Sequence, residues 1–245
     1  MRLAIFFVYF SCCLSNAVSA VLPEEFSASY FASTSFADAE SVIALVKSGE
    51  YIKYTVNSKV RFFYIIPSSV YYCSLIKVVD NKLFPIEYHY KETGDDYSVV
   101  TLFDWDNKNV LIVNKNEDLE TRIPFQTEVW DSLSIQVKLI YDFINGSLIK
   151  DKMYPVLELT EILGWVADAP EKETIELKSG KYKTSKIIAM RGNKKTTIWL
   201  SEEYGYVPLQ LDVKDVHVKM VTSPNKATGI NSSSRGVDKL SCKVQ

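Results

Sequence analysis

The chain reads as a mainly β protein, a curved antiparallel sheet or incomplete barrel with one main packed helix at about residues 131–145. Three observations predict this. Apolar and polar residues alternate along much of the chain, and a period of two puts one set on a buried face. Compact turn signals separate these stretches, and short connections favour antiparallel neighbours because parallel strands need a long crossover. A single stretch departs from this rhythm and takes helical spacing.

The elements follow in order. Phe26, Ala28, Tyr30 and Ala32 alternate with small polar residues. Residues 37–47 have the composition of a short helix, but their position between strands favours a strand. Ile52, Tyr54 and Val56 alternate with Tyr51, Lys53 and Thr55. The clearest alternation is Phe84, Ile86, Tyr88 and Tyr90 against Pro85, Glu87, His89 and Lys91. Later strands come from Ile175 and Leu177, then Val207 to Val213, then Val216, Val218 and Met220. Residues 195–213 read as strand, tight acidic turn and strand. Pro208 cannot donate to a ladder and belongs near a strand start or an edge. Turns are marked by Ser48-Gly49, Asp80-Asn81, Gly94-Asp95-Asp96, Asp106-Asn107, Ser179-Gly180 and Gly192-Asn193.

The exception is Asp131 to Asn145. Leu133, Val137, Ile140 and Ile144 recur at helical spacing, and Ile135, Leu139 and Phe143 widen the apolar face. Asp131 or Ser132 can cap its start by accepting a backbone N–H, and Gly146 can close its end. A helix so broadly apolar presses against the sheet. The strands before and after it form one continuous curved sheet, with two packed lobes as the alternative.

The ends carry address rather than fold. Met1-Arg2 supplies a small positive region, Leu3 to Leu14 is almost unbroken in apolar character, and Val18-Ser19-Ala20 offers small residues for cleavage. That order is a secretory signal peptide at 1–20, cut after Ala20. Its apolar core is too short for a membrane span, which needs roughly 20 residues. A lipid-attachment reading at Cys12 fits poorly, because Tyr9 and Phe10 precede it. The mature chain then has no transmembrane anchor. It reads as a single β-rich domain at 21–221 and a flexible tail at 222–245, which has too few apolar residues to offset ordering.

The charge is close to balanced, with 28 Lys and Arg against 30 Asp and Glu. A scattered, slightly acidic surface argues against nucleic acid as a partner. Cys12 and Cys13 leave with the signal, so Cys73 and Cys242 remain. An exported protein can oxidise such a pair. Nothing in the sequence brings a strand residue and a tail residue together, and two unpaired thiols are the simpler reading.

Catalytic constellations are not in evidence. His89 and His217 both fall on the polar register of strands, where exposed surface histidines are expected, and neither has a second ligand at metal spacing. Familiar nucleophile, zinc and nucleotide-binding signatures are missing. Gly192 to Thr196 reads as a hairpin turn rather than a phosphate loop. Asp104 and Asp106, Glu202 and Glu203, and Asp95 and Asp96 all lie in turn-like surroundings, as solvated acids do. No cofactor or metal is implied.

Aromatic residues are abundant, with 15 Tyr, 12 Phe and 4 Trp. Core packing is their ordinary role. The alternative is the lining of a hollow between sheet and helix, since curved antiparallel sheets can enclose an apolar pocket. The candidates for such a lining are Tyr88, Tyr90, Phe103, Trp105, Trp130, Trp165 and Trp199.

Four pieces, in this order, carry a family resemblance: Phe26 to Tyr30; Phe84 to Tyr88 followed by Phe103-Asp104-Trp105; Asp131-Ser132-Leu133-Ser134; and Trp199-Leu200 followed by Tyr206-Val207-Pro208. Over nearly its whole mature length the chain resembles a bacterial exported family, domain of unknown function 3108. The resemblance implies a periplasmic protein with a strongly curved antiparallel sheet, similar to the open half-barrels that carry lipoproteins or lipids. It supplies no catalytic residues. The chain departs from the pattern after Met220, where no further clear strand follows.

Three functions compete at this point. The first is a non-enzymatic periplasmic module that binds or carries an apolar, lipid-like ligand. The second is an envelope scaffold whose protein partner docks on a sheet edge or the C-terminal tail. The third, less favoured, is a hydrolase whose acids converge only on folding.

Overall fold

A computed structural model describes residues 20–62, 66–93, 98–224 and 241–242. The expected signal peptide lies outside these residues except for Ala20, and so does most of the expected tail.

The strands belong to one sheet. They are β1 (Phe26–Ser33), β2 (Ala37–Ser48), β3 (Tyr51–Phe62), β4 (Ile66–Val79), β5 (Lys82–Glu92), β6 (Ser98–Asp104), β7 (Asn109–Asn114) and β8 (Leu119–Pro124). The helix α1 (Ser134–Ile144) follows. Then come β9 (Lys152–Glu158), β10 (Glu161–Ala167), β11 (Glu171–Leu177), β12 (Gly180–Arg191), β13 (Lys194–Ser201), β14 (Pro208–Val213) and β15 (Val216–Met220). Along the sheet the order is β8-β7-β6-β5-β4-β3-β2-β1-β15-β14-β13-β12-β10-β9, and β11 pairs with β12 off this path. Neighbouring strands are antiparallel, and the first strand meets the last through Tyr30 opposite Met220. Residues 37–47 are strand, as their position suggested, and Pro208 opens β14.

The sheet wraps around α1 without closing its ladder. Its two end strands, β8 and β9, are consecutive in sequence and joined through the helix. Side chains close the seam between them: Phe103, Val110, Ile112, Phe125, Val129 and Leu157 form a separate buried cluster. Trp130 extends the wall by one parallel bridge to Val156, its N–H donating to the Pro155 carbonyl at 3.0 Å.

The main core lies on the concave face. Phe26, Tyr30, Leu45, Ile52, Tyr54 and Ile76 point inward from β1–β4 and pack with Val137, Leu139 and Ile140 of the helix. The helix is buried on most of its circumference, so it is a core rod, as its broad apolar face requires. Asp131 holds its start: Oδ1 accepts from the N–H groups of Leu133 and Ser134, each at 2.9 Å. Gly146 follows its end at φ +66°, where a side chain would be strained.

Three expectations need correction. The face expected to unite Phe84, Ile86, Tyr88 and Tyr90 is split by a bulge. Leu75 pairs with Glu87 but Ile76 pairs with Pro85, which leaves Ile86 as the extra residue. One extra residue reverses the facing of everything beyond it. Leu83 therefore packs in the main core, while Ile86 packs against an outer cluster.

That outer cluster contains the second correction. Cys73 and Cys242 form a disulfide, not two free thiols. Cys73, Leu75 and Cys242 are buried on the convex face, with Tyr51, Tyr71 and Ile86 beside them. The Lys53 ammonium donates to the Ser241 carbonyl at 2.8 Å. The end of the tail is thus attached to the wall at residues 241–242.

Third, His89 is not an exposed surface histidine. Its side chain is 12% exposed, and Nε2 lies 2.6 Å from Glu87 Oε1. It stands opposite Cys73 across the β4–β5 ladder, beside the disulfide cluster that shields this part of the outer face. His217 does lie at the surface, paired with Asp212 at 3.2 Å.

Candidate ligand cavity

The helix fills only part of the interior. Its C-terminal end lies near the β4–β5 turn, where the Tyr141 hydroxyl donates to the Asn81 carbonyl. Beyond its N-terminal end is a cavity of about 890 Å³. The floor is Leu133, Gln136 and Leu139 of the helix region, together with Asp131 and Ser132. The walls come from the inward register of the strands, with Ile43, Val56 and Val60 on one side and Ile198, Leu211 and Val218 on the other. Alternation along each strand explains this: the residues that face the helix lower in the sheet continue, two by two, into the cavity wall. The mouth lies among the turns, where Phe36 is 50% and Leu159 88% exposed.

Polar groups in the wall are mostly tied down. Ser41 and Ser58 share a 2.7 Å hydrogen bond. The Ser132 hydroxyl donates to the Tyr88 oxygen at 3.2 Å, and the Tyr90 hydroxyl donates to Glu92 at 2.8 Å. Burial, above all, raises the Tyr88 hydroxyl far beyond the usual tyrosine range. Asp131 is also pushed up by burial, against hydrogen bonds from Ser134, Ser74 and Leu133 that favour its charged form. Those bonds occupy both of its oxygens, so it is a structural cap rather than an available base.

The rim is charged. Arg191 pairs with Glu158, whose Oε1 also accepts the Trp165 indole N–H at 2.8 Å. Lys194, opposite Arg191 across the β12–β13 ladder, and Lys214, in the β14–β15 turn, stand at the mouth. The Lys194 ammonium is held below its ordinary value, first by contact with Lys214 and then by the charge of Arg191.

Of the seven aromatic candidates, the structure brings Tyr88, Tyr90 and Trp165 to the cavity. The other four lie elsewhere. Phe103 is buried in the seam cluster, and Trp105 packs beside it with its indole N–H on the Pro85 carbonyl at 2.6 Å. Trp130 is fully buried beside the helix, with Lys138 5.5 Å from its ring centre. Trp199 donates to Glu173 at 2.9 Å on the exposed side of β13, because Ile198 and Leu200 take the inward register. Much of the wall is aliphatic and small. An inventory of aromatics misses Ala39, Val56, Val60 and Ala189, whose inward register was the signal available to find them.

Among the described residues no group of three or more His, Cys, Asp and Glu is placed to hold a metal ion. Asp104, one of the turn acids, is engaged by Asn107, whose side-chain amide donates to Oδ2 at 2.8 Å. No described helix is long and apolar enough to cross a membrane.

A crystal structure of a β-barrel-like protein of domain of unknown function DUF1849 from Brucella abortus has a similar fold. The TM-score is 0.51 at 9% identity, covering 82% of this chain and 97% of that one. At such identity the likeness is one of fold alone. A search of curated proteins finds no significant match. Residues 74–217 match the family model described as "Protein of unknown function (DUF3108)". The match includes Phe84 to Tyr88, Phe103 to Trp105, Asp131 to Ser134 and the closing hairpin, but not the opening strand. A model that spans more than half of the chain and runs from β4 to β15 decides the matter: the protein belongs to the DUF3108 family.

Proposed function

We propose that this protein is a non-enzymatic periplasmic carrier that holds an apolar, lipid-like ligand between the sheet and the N-terminal end of α1. The cavity carries this reading. At about 890 Å³ it falls within the roughly 300–1,000 Å³ that hold one small-molecule ligand. Its wall is largely aliphatic with a few tyrosine and serine hydroxyls, the usual balance for an apolar ligand fixed by a few polar contacts. Two features support export: the apolar run behind Met1-Arg2, and the Cys73–Cys242 disulfide, which suits an oxidising compartment.

The test is organic extraction of the purified protein followed by mass spectrometry, with an Ala39→Trp variant beside it. Ala39 is half-buried in the wall, and an indole there projects into free space. A co-purifying apolar molecule that the variant loses while keeping its melting temperature is the expected result. An empty preparation that also fails to bind the apolar dye N-phenyl-1-naphthylamine would overturn the reading.

One observation favours a second reading. The outer edge of β8 has no strand partner among the described residues, and Leu119 on it is 53% exposed. An envelope protein could add a strand there. Glu120, Arg122 and Pro124 on the same strand are the devices that discourage such pairing, so the cavity reading stands first.

A further inference from the structure

The carrier reading leaves the polar end of the ligand open, and the rim of the cavity bears on it. Charged groups at the mouth sort into satisfied and unsatisfied sets. Asp38 is held by Arg61 at 3.1 Å, and Glu158 by Arg191. Lys195 also lines the mouth and has no ion pair among the described residues, but it takes the outward register of β13, on the side of Glu173. Lys194 and Lys214 remain. Among the described residues no carboxylate, not even the adjacent Asp215, lies within ion-pair distance of either, and the Lys194 ammonium has Lys214 and the charge of Arg191 beside it.

The fold forces this proximity. The β12–β13 and β14–β15 turns are adjacent at the mouth, with the Lys214 N–H donating to the Lys195 carbonyl at 3.3 Å. Like charges held together are unfavourable unless something of opposite sign joins them. Both lysines border the same apolar cavity. A ligand that meets this arrangement must be greasy along its length and negative at its exposed end.

We propose that the cavity takes an anionic amphiphile, with its hydrocarbon chain inside and its carboxylate or phosphate head between Lys194 and Lys214 at the mouth. This rests on the carrier reading and adds the chemical class of the ligand. Tyr88 and Trp165 then line the chain. The Arg191–Glu158 pair borders the head, its arginine adding to the positive field while its glutamate excludes a second anion.

The test compares four probes of one chain length: hexadecanoate, hexadecyl phosphate, hexadecan-1-ol and hexadecyltrimethylammonium. Each displaces N-phenyl-1-naphthylamine from the purified, oxidised protein at low and high salt. The two anions should displace the dye at roughly tenfold lower concentration than the alcohol, and salt should narrow the gap. A Lys194→Gln/Lys214→Gln double variant should bring the anions to the level of the alcohol and leave the alcohol unchanged. Competition by inorganic phosphate against hexadecyl phosphate, but not against the alcohol, would support a head site at the lysines. Equal affinity for acid and alcohol, or preference for the ammonium probe, would overturn the proposal and leave the carrier reading standing. Failure of the dye and all four probes to bind would overturn both.

Discussion

The Tyr154 hydroxyl donates a 2.7 Å hydrogen bond to Asp142 Oδ2, deep inside the wrapped sheet. The same carboxylate accepts from Lys152 at 2.7 Å, from Lys138 at 2.9 Å and from Ser147 at 3.0 Å. The cluster joins the helix to β9, the first strand after the seam. Burial alone would raise the Asp142 carboxyl, but the bonds from Lys152, Lys138 and Tyr154 outweigh it and lower the group below the usual carboxylate range.

Removing Asp142 should therefore be expensive. Asp142→Ala leaves two half-buried lysines without their counter-ion and is expected to cost about 2–4 kcal/mol, read from urea denaturation. Tyr154→Phe keeps both ion pairs and should cost about 1–2 kcal/mol. The pH dependence has a definite sign. A carboxylate lowered in the folded state contributes stability above its unfolded value of about 3.9, and that contribution is lost as pH falls through the lower folded value. Acid titrations of wild type and Asp142→Asn should converge at the acid end and separate as pH rises.

Asp131 behaves in the opposite sense. Burial raises it, so its protonated form is favoured in the folded state, and its contribution fades as pH rises from the unfolded value through the folded one. An amide in place of this carboxyl keeps an oxygen for the N–H groups of Leu133 and Ser134. Asp131→Asn should change stability at neutral pH by less than about 0.5 kcal/mol, whereas Asp131→Ala should cost about 1–2 kcal/mol through the lost cap. Thermal melts of the two variants decide this.

The disulfide spans 169 residues. Loop-entropy arguments give about 5 kcal/mol for closing so long a loop, and measured effects usually fall between about 2 and 5 kcal/mol. Cys242→Ser, or reduction of the wild type, should lower the urea midpoint accordingly. His89 and Leu75 should gain solvent exposure in the same experiment, measured for the ring by its carbon-bound NMR signals.

Gly205 offers a backbone test. It sits at φ +63° in the β13–β14 turn, and a Cβ there would meet Glu24 Cγ at 2.7 Å. Gly205→Ala should cost about 1–2 kcal/mol, part from the left-handed backbone and part from moving Glu24. A Glu24→Ala change in the same background should recover only the second part.

The fold was largely legible in the sequence, and particular residues show where legibility stopped. Alternation at Phe26, Ala28 and Tyr30 and at Ile52 and Tyr54 marked inward faces because each strand there keeps one register. It failed at Ile86, because a bulge inserts a residue without changing the composition of the strand. The partnership of Cys73 with Cys242 was hidden for another reason. A polar tail has no periodicity of its own, and Cys73 and Leu75 look like residues facing solvent until that tail is laid over them. Tyr88, Tyr90 and Trp165 reach the cavity, yet Phe103 and Trp130 pack elsewhere although they are just as aromatic. The difference lies in where each ring is turned: Trp130 adjoins the cavity floor in sequence, yet its ring packs in the main core, and that of Phe103 packs in the seam cluster.

The order of the strands has a consequence for how the molecule is made. Strands β1 to β8 are eight neighbours in sequence, and β9 to β14 form a second group. The ladder that unites them runs through β15, five residues long, which pairs Met220 with Tyr30 on one side and Lys219 with Gln210 on the other. A nascent chain halted before Val216 holds two local meanders and lacks the strand that splices them. That splice needs partners about 190 positions apart, the slow, entropy-limited kind of contact. Assembly should accordingly wait for the last strand to emerge, which gives an unfolded polypeptide time to be handled before its wall is sealed.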